Sequence, residues 1–185
     1  LMVPWAVPAY ISILLWRVGM FNTEFGILNK LLSALGFAKV DFLASNGIAF
    51  VSCMVLNLWM ALPFMISTID GALQSVDSGL YESATLDGAG FWMRTWAITV
   101  PAVRPIIAPA AVMTTFITFK QFDIIYLLTQ QRGYMTGATL NTVITYAHQN
   151  AFASNNYGLS SAVSMLLFLI IILFSILTNR SLRED

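Results

Sequence analysis

The sequence predicts an all-α protein, a polytopic bundle of transmembrane helices. Three observations carry that reading. Hydrophobic residues make up 58% of the 185 positions and charged residues only 10%, against about 25% charged in a soluble domain. Mean hydropathy is correspondingly high, at +0.76. Four apolar stretches approach the ~20 residues that cross a bilayer as a helix, separated by polar segments punctuated with glycine and proline. The nine basic and nine acidic residues cancel, which gives no support to a nucleic-acid partner. Residues 1–185 read as one transmembrane domain with no internal repeat.

The first span is expected at about 1–21. Pro4 and Pro8 lie early, where proline starts or kinks a helix. Trp5 and Trp16 are placed to anchor its ends at the headgroups, and Arg17 to snorkel near one end. The opening LMVPWAVPAYISILLW has no basic leader and no small-residue cleavage site, so it reads as span and not as signal peptide. It starts abruptly in apolar sequence, as a fragment of a longer chain would. In segment 21–42, Asn22 or Thr23 is expected to cap a helix whose Ile27, Leu28, Leu31, Leu32 and Leu35 form an apolar stripe. That helix is too short and polar to span, and reads as interfacial.

The second span is expected at about 46–68, kinked at Pro63. Cys53, the single cysteine, cannot form an internal disulfide and reads as a small buried residue. A polar stretch, 69–104, follows. Gly88 and Gly90 flank Ala89, so a helix through 83–87 must turn sharply there. A second helical run, 91–100, meets Pro101, which is expected to end it. The third span is placed at about 105–128, a short helix at 140–152, and the fourth and cleanest span at about 158–178. If the polar stretch and the C-terminus share a side, Arg94, Arg104, Arg180 and Arg183 face Lys30, Lys39 and Arg132 across the membrane. That bias is too small to orient the chain.

Thr114, Thr118 and Gln121 fall at i, i+4 and i+7 and so share one helical face. They suit hydrogen bonding to a hydroxylated solute, or equally helix–helix adhesion. Met60, Ala61 and Phe64, with Asn57 and Trp59, surround Pro63 and suit either a pocket at membrane depth or plain packing. Lys120 and Asp123 are spaced to pair. A lone charge at the bilayer centre costs about 2.5–3.5 kcal/mol on insertion scales, so pairing or snorkelling is favoured over an ion relay. His148 has no acidic or cysteine partner at ligand spacing, and no metal site is expected. The chain contains no GxxxxGK[ST], GxSxG or HExxH pattern, so no enzymatic activity and no bound cofactor are expected of it.

Glu82, Ser83 and Ala84, then three residues, Gly88, nine residues, Ile98, one residue, Val100 and Pro101 together resemble the EAA signature of binding-protein-dependent ABC importer permeases. That signature reads Glu-Ala-Ala, three residues, Gly, nine residues, Ile, one residue, Leu-Pro. Ser83 and Val100 are mild departures, and Asp87-Gly88-Ala89 matches the common wording. The resemblance covers nearly the whole chain. VPWAVPAYISILLWRVGMFNTEFGILN, LNLWMALPFMISTIDGALQSVDSGLYESATLDGA, FKQFDIIYLLT and AF…YGLSSAVS each look like segments of sugar-type permeases. TQQRGYMTG departs from their Thr-x-Gly-Gly-Pro. Such permeases usually carry further N-terminal helices, so the resemblance implies an N-terminally truncated chain or a domain core without its leading spans.

The resemblance implies a multi-pass cell-membrane subunit of the sugar/maltose type, paired with a second homologous permease. It also implies two cytoplasmic ATPase subunits that hold ATP and Mg²⁺, and an extracytoplasmic solute-binding protein. Carried over by position, Glu82, Ser83, Ala84, Asp87, Gly88 and Ala89 fall in the cytoplasmic coupling region. Thr114, Thr118, Gln121, Met60, Ala61 and Phe64 match segments that line the sugar path. Thr118 and Gln121 also suit a polyol, glycerol phosphate or an amino acid. An ion-coupled transporter using Asp70, Lys120 and Asp123 is the rival class, with a membrane enzyme behind it.

Overall fold

The computed structural model describes residues 7–130 and 140–181, all of the described regular structure being helical. Helix α1, Ala9–Met20, starts behind Pro8, whose carbonyl accepts from Ser12 N–H at 3.1 Å. Its last turn, Trp16–Met20, has the wider π geometry. This helix is shorter than a crossing, and the first part of the expected 1–21 span, with Pro4 and Trp5, lies outside the described residues. Trp16 packs its ring against Trp59 at 5.3 Å, and Arg17 departs from expectation. Arg17 does not snorkel. It is 5% exposed and donates to the Leu127 carbonyl, because another helix covers this face of α1.

Helix α2, Ile27–Ala34, is not capped by Asn22 or Thr23. Gly26 holds the cap position, while Asn22 Oδ1 accepts from the N–H groups of Glu24 and Phe25 in the turn before it. The chain doubles back so tightly there that a Cβ on Gly26 would lie 2.3 Å from the Asn22 carbonyl oxygen. Asn29, 1% exposed, fixes the turn. Its Nδ2 donates to the carbonyls of Asn22 and Val40, and its Oδ1 accepts from Val40 N–H.

Helix α3, Asn46–Gln74, runs unbroken through Pro63 and extends past the expected end at 68. Helix α4, Ser78–Leu86, is capped by Asp77, whose carboxylate accepts from Gly79 N–H at 2.9 Å. Helix α5, Phe91–Phe119, corrects the expectation that Pro101 ends a helix. Val100 N–H reaches back to the Thr95 carbonyl in a π turn, which adds one residue of slack just before the proline ring. Pro101 then sits in the first turn of the stretch Val100–Phe119, where no N–H is required. The helix stops at Phe119, not at 128. Residues 120–122 are irregular, and α6 resumes at 123–130. The TQQRGYMTG departure falls almost wholly outside the described residues. Helix α7, Val143–Phe152, is capped reciprocally by Thr142 and Thr145, and α8 is Tyr157–Ser181.

Among the described residues, three helices are long and apolar enough to cross a membrane: Asn46–Gln74, Phe91–Phe119 and Tyr157–Ile176. At ~1.5 Å per residue, α3 and α5 each reach about 43 Å, longer than the ~30 Å hydrocarbon core. Each is therefore long enough to cross it with tilt or overhang. The main core forms where α1, α3 and α6 meet, around Ile13, Cys53, Leu56, Ile124 and Leu128. Helix α5 packs along α3, and α7 packs on α8. The apolar window of α8 buries none of its residues within the chain.

Candidate functional site

The irregular residues 120–122 interrupt an apolar helix that lies against α3. Backbone that leaves helical geometry at membrane depth is tolerated where it is buried or lines a cavity. Here it borders a cavity of about 530 Å³. All six residues placed on the path from sequence line it: Met60, Ala61 and Phe64 from α3, Thr114 and Thr118 from α5, and Gln121 from the break. Gln121 reaches it from the unwound segment and not, as expected, from a helical face shared with Thr114 and Thr118. Asn57, Ile117, Asp123 and Ile124 complete the wall, with Val7 and Ala9 from the start of α1.

The helix–helix reading of the threonine face is realised at Thr118. Asn57 Nδ2 donates to Thr118 Oγ1 at 3.2 Å and ties α3 to α5. Thr114 Oγ1 donates to the Ala110 carbonyl at 2.9 Å. The Gln121 amide, by contrast, makes no side-chain hydrogen bond to any described residue, which leaves a donor and an acceptor facing the cavity wall. The expected Lys120–Asp123 pair does not form. Among the described residues the ion pair present is Lys39–Glu24. The helix ends between Lys120 and Asp123, so the one-turn spacing that would bring them together is lost. Asp70 instead accepts from Gln74, and the three residues of the rival ion relay are not joined.

The glycine turn lies at the other end of α5. Gly88 adopts φ +74°. Its N–H donates to the Thr85 carbonyl at 3.1 Å, and Ala89 N–H to the Ala84 carbonyl at 2.9 Å. This is the paired bonding of a Schellman stop, which glycine serves because it has no Cβ to strain. Gly90 keeps negative φ and begins α5. Glu82, Ser83, Asp87 and Gly88 are exposed, and Ala84 and Ala89 half-buried. Leu86 is 90% exposed. Two side-chain bonds that the sequence reading did not find clip α4 to α5. Tyr81 Oη and Thr99 Oγ1 lie 2.9 Å apart, and Arg94 Nη1 donates to Thr85 Oγ1 at 3.0 Å. From 91 to 114 the rod covers about 35 Å at ~1.5 Å per residue, so the clipped helix and the cavity are opposite ends of one element.

His148 packs among the rings of Phe122, Tyr126 and Phe152 at centroid distances of 4.8, 5.1 and 4.7 Å. Among the described residues no group of three His, Cys, Asp or Glu could hold a metal.

A mostly apolar cavity with a few polar side chains, set where an apolar helix unwinds, is the arrangement by which membrane permeases hold a solute inside a bundle. The chain belongs to the family of binding-protein-dependent transport system inner membrane components, which it matches over residues 1–183. It is 36% identical over 175 residues to the trehalose/maltose transport system permease protein MalF of Thermococcus litoralis, covering 95% of this chain and 58% of that protein. A chain in the crystal structure of a bacterial ABC transporter involved in import of the acidic polysaccharide alginate superposes with a TM-score of 0.85 at 25% identity. That match covers 98% of this chain and 63% of the other. The bacterial alginate ABC transporter in complex with an alginate pentasaccharide-bound periplasmic protein matches equally well, with a TM-score of 0.85 at 25% identity over 98% of this chain and 62% of that one. This chain thus spans less than two thirds of the length of each.

Proposed function

We propose that the chain forms the translocation path for a carbohydrate in an ATP-driven importer. An extracytoplasmic solute-binding protein delivers the solute, and a second, homologous permease completes the path. Two ATPase subunits hold ATP and Mg²⁺ and receive α4 and its glycine turn, with Glu82, Ser83, Ala84, Asp87, Gly88 and Ala89, on the cytoplasmic side. The C-terminus lies on that same side. The solutes named for the matched transporters, trehalose/maltose and alginate, support a carbohydrate cargo. The periplasmic partner in the alginate complex supports delivery by a binding protein.

The observation that carries the reading is that one helix, α5, links an exposed helical hairpin to the cavity. Closure of the ATPases on α4 would move α5 as a rod. The Thr114–Thr118 end would shift against Met60, Ala61 and Phe64, and a change in population of two bundle arrangements would result. The Gln121 amide and the Thr118 hydroxyl suit the donors and acceptors of a sugar.

The test is reconstitution of the full chain with its partner subunits in liposomes carrying Gly88→Asp or Glu82→Lys. Both variants are expected to insert and assemble, with sugar uptake per ATP hydrolysed falling at least about tenfold, a coupling loss of ~1.4 kcal/mol. Full uptake by both variants would remove the coupling role of this turn.

A further inference from the structure

Among the described residues that line the cavity, Asp123 is the one that carries a formal charge, and no described lysine, arginine or histidine joins it there. Asp123 is exposed, and its carboxylate makes no hydrogen bond or ion pair to any described residue. Lys120, the cation nearest in sequence, is exposed, lies outside the lining and has no ion pair among the described residues. The chain fixes this placement. Asp123 is the first residue of α6 after the break, where an acid complements the amino end of a helix. Ile124, next to it, is 1% exposed and belongs to the core shared with Ile13 and Leu56. With Ile124 held in the core, the break cannot swing Asp123 freely away from the cavity.

We propose that Asp123 sets the charge class of the solute, so that the path accepts uncharged or amine-bearing polyhydroxylated molecules and turns away those bearing carboxylate, sulfate or phosphate. The inference rests on the transport reading above and deepens it. A carboxylate is an acceptor for sugar hydroxyls. In a cleft with mostly apolar walls, the Asp123 carboxylate also repels a like charge at close range. A neutral sugar gains hydrogen bonds from Asp123 and Gln121, whereas an acidic sugar meets a like charge with no cation among the described lining residues to offset it.

The test measures the field inside the cavity with charged thiol reagents. The full-length chain, assembled with its partner subunits in liposomes and carrying Cys53→Ala, receives a cysteine in the cavity by Ala61→Cys. Modification rates are compared for a trimethylammonium-ethyl and a sulfonatoethyl methanethiosulfonate. The cationic-to-anionic rate ratio is expected to fall at least about fivefold with Asp123→Asn and to stay at the parental value with Asp123→Glu. At the exposed loop position Ser154→Cys, the ratio is expected to ignore both changes. A ratio at position 61 that Asp123→Asn leaves unmoved overturns the proposal, as does an equal shift at position 154. If Asp123→Asn does not assemble, Asp123→Ser carries the same expectation and the same overturning result. The reagents need no sugar, so a transporter that takes up no carbohydrate defeats the functional reading while leaving the ratio interpretable.

Discussion

Helix α2, Ile27–Ala34, and helix α4, Ser78–Leu86, are alike in length and in how they stop. Each closes on a glycine at positive φ, Gly36 at +82° and Gly88 at +74°. Each then makes the same pair of backbone bonds, Gly36 N–H to Ser33 and Phe37 N–H to Leu32 in the one, Gly88 to Thr85 and Ala89 to Ala84 in the other. Their surroundings differ. Helix α2 carries the buried Asn29, which ties it to Asn22 and Val40. Helix α4 has no buried residue and is held by hydroxyl and guanidinium contacts at its edge. Glycine decides where each helix ends. One buried amide decides that the first is an anchor, and its lack leaves the second as a presented surface.

The sharpest way to break this contrast is Asn29→Ala. It removes three hydrogen bonds and strands the Val40 N–H and carbonyl in a covered position. At about 1 kcal/mol per bond plus the unsatisfied groups, the loss should reach ~3 kcal/mol. It would be read as a lowered thermal midpoint of the detergent-solubilised protein. Tyr81→Phe, the matching deletion at α4, removes one bond to Thr99 and is expected to cost no more than about 1 kcal/mol. Equal losses would mean that α4 is as firmly built in as α2.

The contrast was half legible in the sequence. The glycine turn at 88 could be read because turn chemistry is local. The spans read at about 46–68 and 158–178 fall within Asn46–Gln74 and Tyr157–Ser181, because burial in lipid leaves a continuous apolar record. Met60, Ala61 and Phe64 were marked by their place around Pro63, Thr114, Thr118 and Gln121 by their spacing, and the resemblance to sugar-type permeases joined the two groups that line one cavity. What stayed hidden depends on distant partners. Arg17 meets a carbonyl 110 residues away, and Trp16 packs on Trp59. Neither is written in the residues nearby. Pro101 misled because a π turn, a change of register without a sequence signature, lets the helix run through it. Asp123 was given to Lys120 on the assumption of a helix that in fact breaks between them.

A middle-sized effect compares the two glycines directly. A Cβ added at Gly36 or at Gly88 would meet nothing within 4 Å, so crowding contributes nothing and only the left-handed backbone matters. Gly36→Ala and Gly88→Ala should each cost about 1–2 kcal/mol, and asparagine at either site should recover part of it. The two should separate in function. Gly88→Ala is expected to lower sugar uptake per ATP hydrolysed in the reconstituted transporter, whereas Gly36→Ala lowers stability alone. Parallel losses of coupling at both positions would show that the effect follows general destabilisation and not the turn beside α4.

The smallest effect asks whether the anchor owes anything to surface charge. Glu24 lies in the turn that Asn22 and Asn29 organise, and it pairs with Lys39 at 3.2 Å, the two side chains being 78% and 50% exposed. A pair so exposed gains little, because water screens the attraction and two long side chains must be held in one geometry. Glu24→Gln should therefore shift stability by less than ~0.5 kcal/mol. Raising salt should move the parent and the variant together, since screening has little left to remove. A loss comparable to that of Asn29→Ala would transfer the anchoring of α2 from the buried amide to the ion pair. The difference between α2 and α4 would then be one of surface charge, open to salt, instead of one of burial.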